Sequence, residues 1–447
     1  MNKVGFRTIN SANFSAGNAS QTAFSDGAVK YDQWVGNLDV TRQFEVFKSL
    51  NVAFGIEGRR EGYKIEAGEP ASYTSGGAQG YGGFSPLNRI NRHRTNGSIY
   101  LDLEAQVTDK LLVGIAGRGE DYSDFGTTGT GKATVRYDFT PWFALRGGVS
   151  TGFRAPALQQ EYFTSVASVI QNGSTILTGT FPSIYPAAVA LGGLALEPEK
   201  STNFSAGTVI RLGGFDLTVD GYLIKLRNQL GLSENIGQST SQTDAVNAEI
   251  ARLLAGSNTG ATAARFFING LASTTKGIDA VAHYRARTAA AGTFDLTLAG
   301  NINQIRVTRV PASTSTLNPA PTLFARNRIL SLEDGTPGQK VTATVDWSLE
   351  RLGALARVTY YGGVTQPGTT LAGDIYTGDH AVTDLELHYN ATKGAQIALG
   401  VSNLFDVYPD ATPGTDAQNS TGVVGFPYYS PFGFNGRFLY VRAGLAW

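Results

Sequence analysis

Cysteine is absent from the 447 residues, which excludes disulfides and thiolate metal sites. Charged residues are scarce, at 16%, and sum to zero, so bulk attraction to nucleic acid has no basis. No apolar run approaches the ~18 residues of a membrane helix. The longest, Tyr185 to Leu196, is broken by Gly192 and Gly193. Met1 to Gly17 holds no apolar core of a secretory signal. The four histidines, His93, His283, His380 and His388, are scattered without ligand spacing, and no Ser, His and Asp set follows a hydrolase pattern. No metal, cofactor or catalytic residue is expected.

What is present is alternation. In the last stretch, Leu439, Val441, Ala443, Leu445 and Trp447 alternate with Phe438, Tyr440, Arg442, Gly444 and Ala446. About 10 residues suffice for a tilted strand to cross a bilayer, and one apolar row opposite one polar or small row is the pattern of a membrane barrel wall. The same two-row pattern runs through Phe215 to Tyr222, Val341 to Trp347 and Asp384 to Asn390. A soluble sandwich also alternates, but its strands are typically about 5 to 6 residues. The charged row is therefore assigned to a wet lumen and the apolar row to lipid, and the 55 glycines make the chain richer in glycine than the usual soluble domain.

Connections alternate as well. Tight turns at Glu45 to Ser49, Thr108 to Lys110, Thr140-Pro141, Gly213-Gly214, Ala289 to Gly292, Glu350 to Gly353 and Asn390 to Gly394 alternate with longer loops, as in outer-membrane barrels. One long loop carries a helical period, Val246, Ile250, Leu253 and Leu254, over Asp244 to Leu254. The fold expected is an all-β, antiparallel transmembrane barrel with about fifteen strands. Counting back from the terminal strand assigns residues 34–447 to the wall and residues 1–33 to part of an extracellular loop, with Val4 to Thr8 as the stub of a preceding strand. On that count the barrel is incomplete and its first part is missing.

Aromatic residues gather in three outer loops: Tyr73, Tyr81 and Phe84; Tyr162, Phe163, Phe181 and Tyr185; Phe426, Tyr428, Tyr429, Phe432 and Phe434. Flat rings give large contact area at small entropic cost, so these are the candidates for holding a small ligand; packing the loops together is the competing role. Arg89, Arg92, His93 and Arg94 form a basic cluster suited to an anionic ligand or lipopolysaccharide, or to a solvated rim. Gly126 to Lys132 has phosphate-loop spacing, but Ala133 replaces the magnesium-binding hydroxyl and a strand follows where a helix is needed.

Five motifs in order then carry a resemblance. Gly152-Phe153-Arg154-Ala155-Pro156, Leu196-Glu197-Pro198-Glu199-Lys200-Ser201, Arg265-Phe266-Phe267-Ile268-Asn269, Thr275-Lys276-Gly277-Ile278-Asp279 and Asn403-Leu404-Phe405-Asp406, with the aromatic end at Trp447, resemble the barrel of TonB-dependent outer-membrane receptors. The resemblance implies a barrel of about 22 strands plugged by an N-terminal domain, in the outer membrane of a Gram-negative bacterium. It implies import of a scarce nutrient such as a ferric siderophore, cobalamin or an oligosaccharide, driven through TonB. The sequence departs from that pattern in lacking the plug and the TonB box, so TonB is expected to act only through the missing plug and the chain alone is expected not to transport. Leu445 and Trp447 are the implied barrel-insertion signal for the insertion machinery, and lipid and lipopolysaccharide the implied surroundings. A passive porin-like channel and a soluble β-rich binding module or barrel-borne hydrolase are the alternatives.

Overall fold

The computed structural model describes residues 2–445 except 75–76, 79–80, 172–173, 239–241, 393 and 414–424. The chain begins with β1 (Asn2–Ile9), β2 (Ala23–Phe44), β3 (Ser49–Ala67), β4 (Ile90–Gln106), β5 (Leu111–Tyr122), β6 (Gly126–Thr140) and β7 (Phe143–Arg154). Short loop strands β8 (Ser165–Gln171) and β9 (Ser174–Thr180) precede β10 (Glu199–Leu212) and β11 (Phe215–Leu232). Loop strands β12 (Ile236–Gly237) and β13 (Ala263–Arg265) lead to β14 (Phe267–Thr288), β15 (Gly292–Arg309), β16 (Gln339–Leu349) and β17 (Leu352–Tyr361). After β18 (Val364–Gln366) and β19 (Ile375–Thr377) come β20 (His380–Thr392), β21 (Ala395–Ser402) and β22 (Phe438–Leu445).

Sixteen of these strands form one antiparallel sheet in which each wall strand pairs with the next along the chain. β1 and β22 are its two edges, so the barrel is open along one seam. The wall holds one strand more than the period-2 count, because Asn2–Ile9 pairs along its whole length with Ala23 to Tyr31. Likewise Trp34, the expected start of the wall, lies inside β2. The stub expected over Val4 to Thr8, where Val4 and Phe6 alternate with Lys3, Gly5 and Arg7, is the centre of β1.

Cross-strand register builds the oily exterior. Leu38 pairs with Ile56 and Ile56 with Ile99; one step away, Val40 pairs with Phe54 and Phe54 with Leu101. At the other edge Leu387 pairs with Leu399, and Leu399 with Val441. All of these are exposed. An exposed apolar surface this extensive marks contact with lipid or a partner rather than water. The buried apolar clusters lie elsewhere, in loops and the strand ends beside them: Phe181, Ile250 and Phe266 anchor one, Tyr63, Phe84 and Leu158 the other. A sandwich would bury its apolar row between sheets; this wall turns that row outward.

The opposite face is polar and densely bonded. Arg357 pairs with Asp384, Arg442 with Glu386, and Arg146 with Asp220. Glycine shapes this face too. Gly55, Gly277 and Gly400 stand directly opposite Tyr100, Tyr222 and Tyr440. A Cβ on any of them would fall 2.1 to 2.5 Å from the tyrosine's outer ring or hydroxyl atoms, so the absent side chain lets the ring lie flat across the strand. The ring then reaches a partner: the Tyr100 hydroxyl donates to Asp39 at 2.7 Å and that of Tyr440 to Glu386 at 2.9 Å.

Candidate functional site

Strands β2 and β14 run for 22 residues each, about twice the span a bilayer requires. The surplus projects on the long-loop side. There the inward rows of β2, β3, β4 and β5 bring Tyr31, Arg59 and Glu61, Arg94, and Arg118, Glu120 and Tyr122 around one cavity of about 480 Å³. Its roof is Arg154 to Gln160, which includes the start of the helix Leu158–Tyr162.

Arg94 ties roof to wall. Its guanidinium donates to Glu61 Oε2 at 2.6 and 2.9 Å, to Asp124 Oδ2 at 3.2 Å and to the Pro156 carbonyl at 2.7 Å. The same group lies 5.4 Å from the centre of the Tyr122 ring. Tyr31 donates to the other Glu61 oxygen at 2.7 Å. Arg118 donates to Glu120 and Ser98, both at 2.7 Å. Arg154 grips Glu199 with two bonds, 2.7 and 2.8 Å, and Glu199 also accepts the Leu230 amide. Charge-assisted, bidentate bonds of this sort hold geometry well. The Nε of Arg59 and Oε2 of Glu161 are buried without a protein hydrogen-bond partner.

Glu161 is the unusual acid of the roof. Burial, and then the negative charge of Asp124, push its carboxyl up to about 7, against the pull of Arg94. Nearby, burial and then the charge of Asp26 raise the Tyr81 phenol to about 12.

The aromatic candidates separate into groups. Tyr81, Phe84, Tyr162 and Phe163 come together in the apolar cluster beside the cavity, with Phe84 edge-on to Tyr81 at 6.0 Å and to Phe163 at 6.1 Å. Phe84 is buried there, and Arg92 covers Tyr162 at 5.5 Å. Tyr185 stacks on Phe181 at 5.1 Å in the other cluster. Phe426 is sandwiched between Tyr408 and Phe434 at 5.8 and 5.7 Å. Tyr428 is 78% exposed; Tyr429 and Tyr73 are half-buried. Leu445 is exposed at the end of β22, and Trp447 lies outside the described residues. The basic cluster is split by strand alternation: Arg94 faces inward and is almost fully covered, while the next residue, His93, is exposed. Gly126 to Lys132 is strand throughout, paired with β5. No group of three or more metal-ligating side chains occurs among the described residues.

The cavity arginines other than Arg94 and Arg154 were not singled out from the sequence. A usable signal existed: Glu57, Arg59 and Glu61, and Arg118, Glu120 and Tyr122, repeat at spacing 2 above an apolar row.

A family model described as TonB dependent receptor-like, beta-barrel matches residues 2–404. Among solved structures, a ferric enterobactin receptor mutant from Pseudomonas aeruginosa is similar at 15% identity and TM-score 0.66, over 99% of this chain and 58% of that one. A siderophore receptor from Acinetobacter baumannii aligns at 15% identity and TM-score 0.61, over 94% and 55%. The ferripyoverdine receptor of the P. aeruginosa outer membrane, bound to ferripyoverdine, aligns at 13% identity and TM-score 0.58, over 94% and 49%. The chain thus spans about half to three-fifths of the length of these structures, and at such identities the likeness shows the fold. No curated protein matches the sequence.

Proposed function

Since the chain belongs to the TonB-dependent receptor β-barrel family, we propose that it forms receptor wall in a Gram-negative outer membrane and takes up a ferric siderophore from outside. The observation that carries this reading is the arginine- and tyrosine-lined cavity beneath the roof Arg154 to Gln160, on the lumen face and on the long-loop side. Guanidinium groups recognise carboxylate and other oxygen-rich anionic chelates, and tyrosine faces stack on flat ligands. The structural neighbours named for enterobactin and ferripyoverdine support the siderophore class over cobalamin or oligosaccharides. Exposed Tyr428, with Tyr73 and Tyr429, makes first contact in this scheme. Tyr81, Phe84, Tyr162, Phe163, Tyr185 and Phe426 hold the loops in position. Energised import through TonB requires a plug, and the wall supplies capture and passage.

The test is fluorescence titration of the purified chain in detergent with ferric catecholate, hydroxamate and mixed-chelate siderophores, beside cobalamin and a maltodextrin. Saturable binding of one ferric class, weakened at least tenfold by Arg59→Ala with Arg118→Ala, is expected. Equal or absent response to all ligands contradicts the proposal.

A further inference from the structure

Each arginine lining the lumen cavity already holds a carboxylate. Arg94 is bonded to Glu61 and Asp124, and Arg154 to Glu199. Arg59 donates to Glu57 at 2.7 Å, while Arg118 reaches Glu120 at 2.7 Å and Glu57 at 3.8 Å. Four guanidinium groups therefore face five carboxylates. The bonding is that of ionised acids: Glu61 accepts from Arg94 and from the Tyr31 hydroxyl, Glu199 from Arg154 and the Leu230 amide, and Glu120 from Arg118 and the Tyr122 hydroxyl. Arg92, exposed over Tyr162, does not line the cavity, and counting it only brings the balance to zero. Glu161 in the roof adds no positive charge.

This balance decides what the cavity can attract. A guanidinium bonded to a carboxylate keeps directional N–H edges, but the pair exerts little net field on a third charge. A chelate of high negative charge would enter a site with no surplus of the opposite sign and several carboxylates close by, and such like-charge juxtaposition is how interfaces reject wrong partners. What the cavity does leave unmet is a single donor. The Arg59 Nε is buried without a protein acceptor, and the rings of Tyr31 and Phe153 stand on the walls around it.

We propose that this cavity selects a ferric chelate without net negative charge, of the trihydroxamate class, and that the Arg59 Nε donates to one of its carbonyl or hydroxamate oxygens. Three singly charged hydroxamates neutralise ferric iron, whereas three doubly charged catecholates leave a trianion. The arginines act on such a ligand as hydrogen-bonding edges rather than as charge. This rests on the siderophore reading and narrows it.

The experiment is fluorescence titration of the full chain in detergent with three ferric probes: a linear trihydroxamate capped with acetyl, the same molecule capped with succinyl, which differs by one carboxylate, and a tris-catecholate. The acetyl-capped complex is expected to bind roughly tenfold or more tightly than the tris-catecholate, and more tightly than the succinyl-capped one, with an affinity that barely changes between low and high salt. The variant Glu57→Gln with Glu120→Gln uncovers charge on Arg59 and Arg118, and should raise tris-catecholate affinity roughly tenfold relative to the acetyl-capped complex; circular dichroism checks that its sheet is intact. Should that variant not fold, the comparison of acetyl and succinyl caps on the unaltered chain decides. Preference for the tris-catecholate, equal affinity for the two caps, or an unchanged ratio in the folded variant overturns the charge selection and leaves siderophore uptake standing. No response to any of the three probes overturns both.

Discussion

Replacing Arg94 with Met tests how the roof is held. The substitution keeps most of the side-chain length and removes the charge. It deletes the two bonds to Glu61, the bond to Asp124 and the bond to the Pro156 carbonyl. Glu61 and Asp124 then stay near each other, 13% and 16% exposed at the side chain. Breaking a buried pair by removing one partner costs about 3 to 5 kcal/mol, and the residual exposure places this case near the lower end, about 3 kcal/mol. The loss falls on the roof rather than on the wall, whose backbone ladder is untouched. Hydrogen exchange reads it locally: the Gln160, Glu161 and Phe163 amides, bonded to Ala157 and Gln159 carbonyls, should exchange about 100-fold faster, since about 1.4 kcal/mol corresponds to each factor of ten. Adding Glu61→Met should recover part of the loss by removing one stranded charge. Unchanged exchange in Arg94→Met would show instead that the apolar cluster alone holds the roof.

Three further outcomes follow from the same geometry. The raised Glu161 carboxyl favours its neutral form in the packed roof, so packing is unpenalised below the ordinary carboxyl value of 4.5 and weakens as pH rises to about 7; with solvent screening the full penalty is about 2 kcal/mol. Hydrogen exchange of the roof, divided by the intrinsic exchange rate at each pH, should therefore quicken about ten- to thirtyfold between pH 5 and 7, and Glu161→Gln should flatten that residual dependence. Gly400→Val forces Tyr440 off its glycine and breaks the bond to Glu386, costing about 1 to 3 kcal/mol in a denaturant titration. Leu387→Arg places charge on the lipid-facing row and should lower membrane insertion, by about 2 to 4 kcal/mol at mid-depth, whereas His388→Arg, one residue along and facing the lumen, should insert normally in a heat-shifted gel assay.

Much of the wall was legible in the sequence because lipid enforces contrast. Strands that cross hydrocarbon, such as Phe215 to Tyr222 and Asp384 to Asn390, announce themselves by alternation. The helix over Asp244–Ala255 did so through its 3.6 period; it buries Val246, Ile250 and Leu254 and is capped by the Thr243 hydroxyl. Contrast disappears where strands rise out of the membrane. Gly126 to Gly131 and Gly27 to Gln33 therefore read as loops although both pair in register. The lumen cavity was less legible for a different reason. Its members come from β2, β3, β4, β5 and β7, and only the sheet register makes residues as distant as Tyr31 and Arg154 neighbours. The aromatic residues were visible as groups, but composition alone does not separate a ring that packs, like Phe84, from one left exposed, like Tyr428.

In every wall strand one row should face lipid and the other a wet lumen. The chain's lack of cysteine makes single-cysteine spin labelling along Thr383 to Asn390 in β20 the most direct measurement, with the chain reconstituted in lipid. Labels at 385, 387 and 389 should collide with dissolved oxygen, and those at 384, 386 and 388 with a water-soluble nickel complex. A flat or inverted profile, or a chain that stays dispersed in detergent-free buffer with those leucines shielded, would contradict it.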